Sequence, residues 1–149
     1  MNKSTNLGKL LDMIFIISSI IFNISVSVLY IATKFGNMEL VQVIGIIVLF
    51  LIIPFTITLI GYIKEKEEKK IIISLIVILF YFFLEILLDH ILIIPFRDIL
   101  TLHIPYIIVF YAAEFSMIGV TFDKNKKMGF VVLATFGILI ACLIYMYLG

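Results

Sequence analysis

The sequence predicts an all-α polytopic membrane protein, a compact bundle of five transmembrane helices. Three observations carry this expectation. Of the 149 residues, 64% are hydrophobic and only 14% charged, whereas a soluble domain carries about 25% charged residues. The apolar residues fall in runs of about 20, the length a helix needs to cross the hydrocarbon core. Finally, lysine and arginine are divided very unequally between alternate connections.

Span one covers residues 10–33. It exceeds the roughly 7–15 apolar residues of a signal peptide, and no small-x-small cleavage site follows it, so a retained helix is expected. Ser19, Asn23 and Ser27 are spaced i, i+4, i+8 on a single face, with Asp12 near the same stripe. Such a polar stripe must face other helices, either to hydrogen-bond with them or to line a pathway.

Span two, residues 40–63, contains no charged side chain. Pro54 within it lacks a backbone N–H, leaves the Phe50 carbonyl without its helical partner and should kink the rod. Thr56 or Thr58 is expected to supply a replacement hydrogen bond. The following KEKEEKK segment, 64–70, reads as a solvated cytoplasmic turn.

Span three runs over 71–95 and span five over 128–148. Span four, 104–122, is interrupted by Glu114 but is still about 19 residues long, enough to cross. Charge decides in its favour. With five spans and a cytoplasmic N-terminus, the inside segments carry Lys3, Lys9, Lys64, Lys66, Lys69, Lys70, Lys124, Lys126 and Lys127. The outside segments carry Lys34 and Arg97. Nine basic residues against two is the inside bias expected of a cell-membrane protein, and it places the C-terminus outside. At this length the whole chain, 1–149, reads as one domain.

Small residues suggest where helices approach one another: Ala112, Ser116 and Gly119 in span four, and Ala134, Gly137 and Ala141 in span five. Contact between those two spans is the ordinary reading, and a homo-oligomer face the sharper one. Tyr30, Tyr106, Tyr145 and Tyr147 at outer ends, with Tyr62 at an inner end, suit an interfacial aromatic belt. The single cysteine, Cys142, excludes an intramolecular disulfide and reads as a small packing residue. A net charge of +1, with its lysines scattered around apolar runs, gives no footprint for a nucleic acid. The bilayer is the expected partner.

Ionisable groups concentrate late in the chain. Glu85, Asp89, His90, Arg97, Asp98, His103 and Glu114 fall in spans three and four and their connection. A carboxylate near mid-bilayer costs about 2.5–3.5 kcal/mol on insertion scales, so such groups are functional candidates. Counting inward from an outer connection near 98–102 puts Glu85 and Glu114 at one depth, about 15 Å down. Asp89 and His103 would lie above them and Arg97 and Asp98 would cap the column.

The column has three readings. It locks spans three and four together; it binds a proton, cation or small polar ligand, for transport or permeation; or it serves a membrane-embedded enzyme acting on a lipid or isoprenoid. Glu85, Asp89, Glu114 and His103 make an oxygen-rich set, but their spacing is not a metal motif. A further class is an interaction or immunity-type protein that works through its small-residue faces.

Overall fold

The structure, a computed structural model, describes residues 6–88 and 99–148. Within them the chain is helical throughout: α1 (Asn6–Lys34), α2 (Met38–Phe50), α3 (Ile52–Lys64), α4 (Lys69–Ile86), α5 (Leu100–Lys124) and α6 (Lys126–Tyr147). α2 and α3 are two halves of one rod. That rod (Met38–Lys64), α1, α5 and α6 are each long and apolar enough to cross a membrane. α4 carries the first part of span three and passes into a wider π turn at Leu87 and Leu88.

The break between α2 and α3 falls at Leu51, three residues before Pro54. The pyrrolidine nitrogen cannot donate to the Phe50 carbonyl, and the chain answers with a tighter turn in which Leu51 N–H reaches Val48 O at 3.1 Å. The threonines do not repair the gap as the sequence suggested. Thr56 Oγ1 donates to Ile52 O at 2.7 Å and Thr58 Oγ1 to Pro54 O at 2.6 Å. Each hydroxyl bonds one turn back along its own helix, out of reach of Phe50.

Helix ends follow from local chemistry. Gly36, at φ 71°, lets Asn37 N–H close on Ala32 O at 2.9 Å and ends α1. Lys66 takes the same left-handed conformation, at φ 56°, while Glu67 N–H closes on Tyr62 O at 3.0 Å. Asn37 and Asn125 then start the next helices, their side chains accepting from Leu40 N–H and Met128 N–H at 3.2 Å.

α1 is the hub, packed against α6, α2, α3 and α5, while α4 packs on α3 and α5. Half of its most apolar stretch is buried, against 22% for the α2–α3 rod and for α6. The core is aromatic, built on Phe15, Phe22, Phe55, Tyr81, Phe82 and Phe110. Outside it the surface remains apolar all round: Ile17, Ile21 and Ile24 on α1, Ile53, Ile57 and Ile60 on α3, Phe130 and Ile138 on α6. A helix apolar on every side, in a bundle this small, has lipid rather than water as its solvent.

The small-residue faces are not where α5 and α6 meet. Ala134, Gly137 and Ala141 are exposed, as are Ala112 and Gly119, and a Cβ added at Gly137 or Gly119 would meet nothing within 4 Å. Close packing relies on other glycines. Gly61 lies under the Leu11 side chain, and Gly129 under the Phe122 ring.

Candidate functional site

The polar groups of the core gather at three levels along α5. The middle level holds Glu114, whose side chain is completely buried. The stripe on α1 turns into the bundle: Ser19, Asn23 and Ser27 are all buried. Ser19 and Ser27 spend their hydroxyls on Phe15 O and Asn23 O, 3.0 and 2.7 Å away on their own helix. Asn23 alone reaches across. With Nδ2 turned to Glu114, it donates to Oε1 at 2.8 Å and Oε2 at 2.9 Å, and its Oδ1 accepts from Thr135 Oγ1 of α6 at 2.9 Å. One amide thus joins α1, α5 and α6.

The outer level, eight residues or about 12 Å along α5 from Glu114, belongs to Glu85. Its Oε1 accepts from Tyr81 Oη at 3.0 Å and from Tyr106 Oη, and the two phenols lie 3.1 Å apart. Glu85 and Glu114 are therefore not level. Aromatic packing sets the register of α4 against α5, with Tyr81 on Phe110 and on Tyr106. Residue 85 then meets 106, whereas counting from the connection had matched it with 114. His103 lies at this outer level, its ring stacked near Tyr106 at 6.4 Å. Asp89, His90, Arg97 and Asp98 lie outside the described residues. Among the described residues, no three His, Cys, Asp or Glu side chains converge on a point that could hold a metal.

Between the two levels lies a layer of rings. Phe22 packs on Tyr81, Phe82 and Phe110 at centroid distances of 5.8, 5.7 and 6.1 Å.

The inner level was not anticipated. Lys124, ten residues or about 15 Å from Glu114 along α5, has its Nζ 2.5 Å from Glu67 Oε2 and 3.6 Å from Asp12 Oδ1. Its ammonium also sits 4.8 Å above the Tyr62 ring, and Tyr62 Oη donates to Asp12 at 2.6 Å. The side chains of Lys124 and Glu67 are each only 10% exposed. The 64–70 segment is thus not wholly a solvated turn, since Glu67 is folded onto the bundle. Tyr62 and Tyr106 likewise serve the core rather than an interfacial belt. The signal that could have found this cluster is weak: an acid near the start of span one and a tyrosine and a lysine at the ends of two others.

Chemically, the three levels differ. The inner one is a compensated ion cluster, and the outer one a carboxyl held by two phenols. At the middle level the carboxyl meets an amide, and it forms no ion pair among the described residues. Comparison with protein-family models, with curated proteins and with solved structures gives no match. The class is therefore set by the fold alone: a helical bundle with, among the described residues, four helices of membrane-spanning length and composition, which fits a multi-pass membrane protein.

Proposed function

We propose that this chain is a five-span protein of the cell membrane, N-terminus in the cytoplasm and C-terminus outside, that binds and exchanges a proton at Glu114 during transport. α4 supplies the remaining span. Two groups of contacts support the alternation. Asp12, Glu67 and Lys124 meet at one end of the bundle, where Lys70 also pairs with Asp123 at 3.3 Å. At the other end, Lys34 of α1 meets the Tyr145 ring of α6 at 4.4 Å. The lysine-rich connections thus share an end, as the inside bias requires.

The observation that carries the proton reading is the completely buried Glu114 carboxyl with Asn23 as its partner. A dehydrated metal ion needs a shell of about six or more oxygens, whereas among the described residues Asn23 is the hydrogen-bond partner of the Glu114 carboxyl. A proton asks only for the carboxyl itself. Intramembrane carboxyls of this kind serve as proton relays.

The test is proton flux into liposomes holding the reconstituted protein, read by a trapped pH-sensitive dye under an imposed pH gradient. Glu114→Gln should cut the flux at least tenfold, and Glu114→Asp should retain part of it. Equal flux through wild type and Glu114→Gln overturns the proposal.

A second reading keeps one observation in its favour. The uncovered Ala134–Gly137–Ala141 face offers a close approach to a helix of another membrane protein or of a second copy. Under that reading Gly137→Leu abolishes association in a crosslinking assay, and Glu114→Gln leaves it intact.

A further inference from the structure

We propose that the Asn23 side-chain amide is a two-position relay that reports the protonation of Glu114 to Thr135 on α6. The inference rests on the proton-binding reading of Glu114 and adds a mechanism by which the bundle senses the proton.

The geometry admits two complementary arrangements that differ only in exchanging the Nδ2 and Oδ1 positions of Asn23. In the first, Glu114 is ionised. Asn23 Nδ2 donates to both carboxylate oxygens, at 2.8 and 2.9 Å, and Asn23 Oδ1 accepts the Thr135 hydroxyl proton at 2.9 Å. In the second, Glu114 carries a proton and donates it in a hydrogen bond to Asn23 Oδ1. Nδ2 then points to α6, donating to Thr135 Oγ1 at 2.9 Å, with Val132 O at 3.4 Å. The Thr135 hydroxyl is released to donate to Val132 O at 2.7 Å.

Mixed arrangements are poorer: a protonated carboxyl opposite Nδ2 keeps one hydrogen bond through its carbonyl oxygen but finds no acceptor on the amide for its own O–H. An ionised carboxylate facing Oδ1 would set acceptor against acceptor at under 3 Å with no proton between them. A buried pair of that kind forfeits its hydrogen bonds and adds repulsion. The gain or loss of one proton therefore biases the amide toward opposite orientations. No proton passes from Glu114 to Asn23, and what reaches α6 is the direction of the hydrogen bonds.

The elements packed around Glu114 carry other charged and titratable groups: Lys9, Asp12, Tyr30 and Lys34 on α1, Lys69, Lys70, Tyr81 and Glu85 on α4, His103, Tyr106, Tyr111, Asp123 and Lys124 on α5, and Lys126, Lys127, Cys142, Tyr145 and Tyr147 on α6. On α5, His103 and Tyr106 belong to the outer level and Asp123 and Lys124 to the inner one, about 12 Å or more from Glu114, while the nearer Tyr111 packs its ring on Phe110 and Phe136. Asn23 is the group in hydrogen-bond contact, so Asn23 is the group that must respond. It is a positioning residue.

The experiment uses full-length protein in lipid, with 15N in asparagine side chains and 13C in glutamate carboxyls. Solid-state NMR reads the Asn23 Nδ2 to Glu114 Cδ dipolar coupling across a pH series, and infrared carbonyl absorption of the same samples reads Glu114 protonation. A strong coupling in ionised samples that collapses in protonated ones is the expected result. Thr135→Ser should keep that pH dependence, and Thr135→Val should weaken it. If Glu114 titrates but the coupling does not follow, the relay is overturned and the proton site stands. If the Glu114 carbonyl band never changes with pH, both are overturned.

Discussion

Replacing Lys124 with methionine keeps most of the side-chain volume and removes the ammonium at the inner level. Its Nζ lies 2.5 Å from Glu67 and 3.6 Å from Asp12, with Lys124 and Glu67 each 10% exposed. Removing one partner of a fully buried ion pair costs about 3–5 kcal/mol. Two features reduce that here. Asp12 keeps the Tyr62 hydroxyl at 2.6 Å and is 23% exposed, so most of the penalty falls on Glu67. The expected loss is about 2–3 kcal/mol. A double-mutant cycle isolates the pair: Glu67→Gln should cost about 2 kcal/mol with Lys124 present and close to nothing in Lys124→Met. The assay is reversible unfolding of detergent-solubilised protein, followed by helical circular dichroism. Lys70→Met is the control. Its partner Asp123 lies 3.3 Å away, but the two side chains are 62% and 39% exposed, and the change should stay within about 0.5 kcal/mol. A Lys124→Met loss below about 0.5 kcal/mol, or strict additivity in the cycle, would refute the reasoning.

Other consequences can be checked in the same unfolding assay. Lys66 holds a left-handed conformation at φ 56°, which costs a side chain roughly 1–2 kcal/mol, so Lys66→Gly should stabilise by about 1 kcal/mol; a destabilised variant would show that the lysine side chain matters more than its backbone. Gly61→Ala places a methyl 2.5 Å from both Leu11 Cδ atoms and should cost about 1–3 kcal/mol by overpacking. Leu11→Ala should then cost less in that background than alone, and equal costs in both would separate the two sites.

Much of this fold can be read from the sequence because lipid imposes strong rules. Runs of about 20 apolar residues locate the rods, Pro54 marks the broken one, and the Ser19–Asn23–Ser27 spacing gives the inward face of α1. Glu114 stood out for the same reason, a carboxyl where the medium tolerates few. What stayed hidden depends on tertiary register. Glu85 sits beside Tyr106, eight residues from Glu114 along α5, because rings pack in a particular stagger, and no count of residues from a connection reveals that. The Lys124–Glu67–Asp12 cluster joins residues 57 and 112 positions apart, and each alone reads as an ordinary surface charge. Small residues misled in the opposite direction. Gly137 resembles a packing glycine but faces outward, while Gly61 and Gly129 carry the close contacts.

The layer of rings around Phe22 has an electrical consequence. In the proposed orientation it lies between the outer carboxyl and the middle one, and it is the apolar stretch of that path. A membrane potential falls most steeply where the medium is least polarisable. A charge carried the full way does work of about 2.3 kcal/mol per 100 mV, and a large share of it would be done in passing Phe22, Phe82 and Phe110. Voltage would then act on traffic between Glu114 and the outside, and also on its exchange with the cytoplasmic end, where Phe15, Met117 and Val120 are just as deeply buried.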